Sequence, residues 1–172
     1  MGKVMAVVHI SMDTKKSAAG ALLPQDIELN ILALELFYYA CEATHNLQIP
    51  YMKDIGTSVV VDQITFSNPF DIWAVLKSIP VGIGRAVLDR TLYFRPEFAK
   101  RTAEAGKARQ SEISAKLDNI RKANKLRDEL LNSGGDADEI TKLLAKILFD
   151  QDAKLEVHDA NQRKEPSSLP YL

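Results

Sequence analysis

A period of two opens the chain. Between Lys3 and Met12, Val4, Ala6, Val8, Ile10 and Met12 alternate with Met5, Val7, His9 and Ser11, which places the first five on one face of a strand. Met5 and Val7 make the second face largely apolar too, as in a strand central to its sheet. A polar loop follows over 13–20. The period then changes to three and four. Ile27, Ile31, Leu34, Tyr38 and Cys41 form one stripe over Pro24 to His45, the pattern of an amphipathic helix. Pro24 suits the first turn, Asp26 and Glu28 suit the positive end of the helix dipole, and His45 with Asn46 supplies a stop.

A second strand is expected from Ser58 to Phe66, where three valines lead into Gln-Ile-Thr-Phe. Asp62 interrupts its apolar face. A short strand over 51–55 could precede it, with a turn or bulge at Gly56. Ser67-Asn68-Pro69 reads as a helix start, a cap followed by proline in the first turn. The helix it predicts runs from Phe70 to Ile79, is broken by Pro80, Gly82 and Gly84, and resumes to Leu92. This connector, 69–94, is apolar nearly all round, which suits burial under the sheet or at a subunit interface. Its second reading is an interfacial membrane element, with Trp73 and the basic Lys77, Arg85 and Arg90 at headgroup level.

From residue 95 the chain becomes charged and rich in alanine. One long helix is expected from Arg95 to Asn132, with an apolar seam at Ile113, Leu117, Ile120, Ala123, Leu126 and Leu130. Gly134 and Gly135 would end it. Asp136 would cap a second helix, with Glu139 completing the box, and with Ile140, Leu143, Leu144, Ile147, Leu148 and Leu155 on its buried side. So short a turn makes the two helices antiparallel. The expected fold class is therefore α+β. A small sheet with a packed helix (1–94) is followed by a long C-terminal antiparallel helical hairpin (95–160) and a disordered tail (161–172).

Charge sharpens this picture only locally. The net charge is −1, so nothing global favours nucleic acid. Residues 95–127 hold 10 Lys+Arg against 4 Asp+Glu, and residues 128–160 hold 3 against 9, which suits mutual pairing of the two helices. Aromatics that could stack on bases are missing over 99–148. With one cysteine no internal disulfide can form, and a cytosolic setting is expected, peripheral to a membrane under the second reading of 69–94. No apolar run reaches the ~20 residues of a spanning helix.

Candidate chemistry is sparse. The histidines are His9, His45 and His158. No two of them, and none with Cys41, fall at metal-ligand spacing, so neither metal nor cofactor is expected. Cys41 lies on the apolar stripe as a structural thiol. Glu28, Glu35 and Glu42 recur every seven residues, about 10 Å apart along a helix, too far for one metal ion. Gly82-Ile83-Gly84 lacks the third glycine and the preceding strand of a dinucleotide site. Asp62 could pair with His9 if their strands are neighbours.

No catalytic residue is expected. Two strands and one helix make a marginal core, so the sheet must gain strands from loop regions or from a second copy. The leading expectation is a non-catalytic assembly or adaptor protein, a homo-oligomer or the constituent of a constitutive complex. Its contacts would be made by Ile113, Leu117, Ile120, Leu130, Ile140, Leu144 and Ile147. The rivals are a membrane-peripheral or pore-associated module using 69–94, and a small enzyme or ligand-binding domain near His9 and Asp62.

Overall fold

The computed structural model describes residues 5–14, 21–45, 59–105, 112–133 and 136–160. Its elements are β1 (Met5–Met12), α1 (Pro24–His45), β2 (Val59–Thr65), β3 (Phe70–Pro80), α2 (Val81–Ala105), α3 (Glu112–Ser133), α4 (Ala137–Asp150) and β4 (Ala153–Asp159). The class is α+β: four helices with one four-stranded sheet of order β2-β3-β1-β4, every neighbouring pair antiparallel. It follows that β1 and β2 run parallel with β3 between them, and β3 and β4 run parallel with β1 between them. This is the split βαβ arrangement, with α3 and α4 added to its second crossover.

Two strands stand where helices were expected. Ser67-Asn68-Pro69 starts no helix: it lies in the turn between β2 and β3, and its Asn68–Pro69 peptide bond is cis. The Asn68 side-chain oxygen accepts from the amide and hydroxyl of Thr14 at 3.1 and 3.2 Å, tying this turn to the chain just after β1. Phe70, Ile72, Ala74 and Leu76 then point into the core, and Asp71, Trp73, Val75 and Lys77 alternate outward. Period two wins because β1 and β2 pair with β3 on either side over Asp71–Leu76 and satisfy the backbone there. The second expected helix likewise ends at Asp150. Asp152 turns the chain with φ 50, and Leu155 lies on β4, not on the helix. The sheet thus finds its missing strands within its own chain.

Further along, α2 begins immediately after Pro80 and runs through residue 95. The expected helix over 95–132 is therefore divided between α2 and α3, and 106–111 lie outside the described residues. So do Gly134, Gly135, the possible strand at 51–55 and the tail from 161. Asp136 caps α4 as expected, accepting from the Asp138 amide at 3.0 Å.

One core joins these elements. Ala6, Val8, Ile10 and Met12 of β1 meet the inward row of β3, Ala153 and Leu155 of β4, and α1 side chains led by Leu29, Phe37 and Ala40. Being sandwiched, α1 is buried on nearly every side; of the expected stripe, Ile31 is the member that faces outward. At the start of α2 the close approach to the sheet needs glycine. A Cβ on Gly84 would sit 3.1 Å from Val157 and 3.3 Å from Ala6. α4 packs chiefly on α1 and α2, and α3 chiefly on α1, so these two helices are layered over α1 more than on one another.

Candidate functional site

Two surfaces collect the polar and apolar groups that the core leaves over. The first is the sheet face turned away from the described helices. Strand register lays it out in rows: Val60, Val75, Val7 and His158; then Gln63, Trp73, His9 and Glu156; then Thr65, Asp71, Ser11 and Lys154. At its centre the His9 ring stacks on Trp73, with centroids 4.0 Å apart and planes 7° from parallel. The His9 Nε2 lies 2.6 Å from Asp71 Oδ1, and its Nδ1 lies 3.5 Å from Glu156 Oε2. That same Glu156 oxygen is 3.1 Å from Nε2 of His158. β1, β3 and β4 each supply part of this group, because alternation sends every second side chain of three adjacent strands to one side. An imidazole held between two carboxylates can carry a proton or, when neutral, offer one lone pair to an electrophile or a metal. The partner expected for His9, Asp62, lies instead at the irregularity in the β2–β3 register between Val61 and Gln63, and Asp71 takes its place.

The second surface lies along α1 and α3. Lys116 is buried and paired with Asp26, whose carboxylate also accepts from the Leu23 amide at 2.9 Å. Arg127 reaches Glu35 at 3.4 Å. The basic helix therefore turns these two cations to α1. The acidic α4 takes Arg90 of α2 on Asp138, and its Lys146 and Asp150 hold the Asn119 amide of α3 at 2.6 and 2.8 Å. Next to the Arg127–Glu35 pair, Ile27, Glu28, Ile31 and Leu32 of α1 face Asn124 of α3 across an open groove of ≈ 670 Å³.

Of the residues expected to make contacts, Ile120, Ile140, Leu144 and Ile147 are buried in the protein's own core, whereas Ile113 and Leu117 are 48% and 46% exposed. The side chain of Leu130 lies outside the described residues. The four residues assigned to a membrane face do not share one element. Trp73 and Lys77 lie on the outward side of β3, and Arg85 and Arg90 lie on α2, which packs on the other side of the sheet. Among the described residues no helix is long and apolar enough to cross a membrane. Cys41 is fully buried, and burial, reinforced by Glu42, pushes its thiol far above the ordinary value.

The sequence reading missed Asp71, Glu156 and the role of His158. The available signal was alternation: Lys154, Glu156 and His158 are interleaved with Ala153, Leu155 and Val157. Compared with protein-family models, with curated proteins and with solved structures, the chain finds no match.

Proposed function

We propose that this protein is a non-catalytic assembly module that pairs with a second copy of itself along α3. The observation that carries the reading is the exposed pair Ile113 and Leu117 on the same helix line as the groove. Ile113, Leu117, Ile120, Asn124 and Arg127 are separated by four, three, four and three residues, so they form a single stripe. The first half of that stripe is apolar and half-exposed, and the second half lines the groove with Ile27, Ile31 and Leu32.

Two antiparallel copies of α3, related by a two-fold axis near Ile120, set Leu117 beside Asn124 and Ile113 beside Arg127 of the other copy. The apolar end of each stripe then covers the apolar floor of the other groove, a self-complementary contact of the kind two-fold dimers require. Charge suits it as well. Glu28 lines the groove, and Arg121 and Lys125, paired within α3 to Asp118 and Glu129, project into solvent and can reach it. Burying the exposed half of four such side chains contributes about 3–6 kcal/mol, so weak association, from about 40 µM to several millimolar, is expected.

Sedimentation velocity of the full chain from about 10 µM to 2 mM tests this range. Concentration-dependent dimerisation that Leu117→Glu abolishes is expected. Leu117 is exposed, so the variant keeps its fold. A wild-type chain that stays monomeric throughout, or a Leu117→Glu chain that dimerises equally well, overturns the proposal.

A further inference from the structure

We infer a binding site for one divalent first-row transition ion on the outward sheet face, with His9 Nδ1, Glu156 and His158 as its ligands. This site is separate from the α3 pairing and does not depend on it. The three donor atoms already lie within 4.8 Å of one another. Around a tetrahedral ion with bonds near 2.1 Å, donors stand about 3.4 Å apart. The Glu156 carboxylate meets that spacing with both imidazoles, at 3.5 Å from His9 and 3.1 Å from His158. What remains is for the two rings to close on each other, and His158 and Glu156 have the freedom to do so, being 39% and 54% exposed.

His9 is the fixed member of the set. Donation from Nε2–H to Asp71 at 2.6 Å selects the tautomer whose Nδ1 lone pair faces Glu156 and His158. A carboxylate behind a ligating imidazole also raises its basicity, the usual outer support of a histidine ligand. Stacking on Trp73 stops the ring from turning away. Two imidazoles and one carboxylate suit zinc, cobalt or nickel and not magnesium or calcium, which take oxygen donors. Three protein ligands on an open face leave at least one coordination position to water or to an incoming donor.

Trp73 is the chain's one tryptophan, so its fluorescence reports on this site alone. The experiment titrates the full chain, free of any histidine tag, with Co²⁺, whose unfilled d shell quenches a nearby indole. Saturable quenching at one Co²⁺ per chain, reversed by Zn²⁺, is expected. His158→Gln should weaken binding at least tenfold, and Asp71→Asn about tenfold or more. Lys154→Gln, a neighbouring outward position on β4, should bind like the wild type. Circular dichroism confirms the fold of each variant. His158→Gln is the decisive one, because its ring is partly exposed at the sheet edge. Quenching that rises without saturating, or that is the same in His158→Gln as in the wild type, overturns the site.

Discussion

Replacing Lys116 with methionine takes the cation from a pair in which the lysine side chain is 6% exposed and Asp26 not at all. Methionine keeps the volume, so no cavity is added and the effect isolates the charge. Asp26 retains the Leu23 amide at 2.9 Å, but its carboxylate is left buried without a counter-charge. Breaking one side of a buried pair costs about 3–5 kcal/mol, a large part of the about 5–15 kcal/mol that holds a domain together. With a urea slope of about 2 kcal/mol per molar, the unfolding midpoint should fall by about 1.5–2.5 M. Adding Asp26→Asn removes the stranded charge and keeps an oxygen for the Leu23 amide, so the double variant should regain most of the loss. Urea unfolding of the four proteins in this cycle, followed by circular dichroism, provides the measurement. A single variant that loses less than about 1 kcal/mol, or a double variant whose loss equals the sum of the two single losses, would refute the argument that the pair is a buried, mutually dependent unit.

Two other outcomes follow from close contacts and burial. Gly84→Val should destabilise by about 1–3 kcal/mol through overpacking against Val157 and Ala6. Gly82→Ala, with nothing within 4 Å of the added carbon, should be neutral or stabilising by up to about 1 kcal/mol. Thermal melts of both variants separate close packing from helix propensity. At high pH the buried thiol sets a slope. Below the ordinary thiol value of 9.0, folded and unfolded chains both keep the Cys41 proton, and stability does not depend on it. Above that value the unfolded chain releases the proton while the folded chain holds it, so stability falls by about 1.4 kcal/mol per pH unit. Tyr39, pushed up to about 12 by burial and then by Glu35, adds a like slope above its ordinary 10.0. Urea midpoints between pH 9 and 10 should fall less steeply for Cys41→Ala than for the wild type.

How far the fold could be read depended on how pure each alternation was. β1 was legible because its period of two is unbroken; α1 was legible as a helix from Pro24 to His45, but not its faces, since it is buried on nearly every side. In β3 the outward positions include Trp73 and Val75, so the period of two was masked by apolar side chains on both faces, and Ser67-Asn68-Pro69 imitated a helix cap. β4 alternates cleanly, but it starts so soon after α4 that Leu155 also satisfies the helical step from Leu148. Of the expected seam of α3, Ile120, Ala123 and Leu126 are buried while Ile113 and Leu117 are half-exposed. Which of them turn inward was not legible, because that depends on where α1 ends up beneath the helix. Neither was the cluster around His9. Its two histidines stand near opposite ends of the chain, and only the pairing of β1 with β4 makes them neighbours.

That same pairing orders events in time. β1, the first described strand, has β4, the last described strand, on one flank and β3 on the other. At about 5–20 residues per second, roughly 4–16 s pass on the ribosome between the synthesis of β3 and that of β4. Throughout that interval one edge of β1 stays open to any extended segment nearby. A nascent chain of this topology has reason to meet a chaperone before it meets its own C-terminal strand.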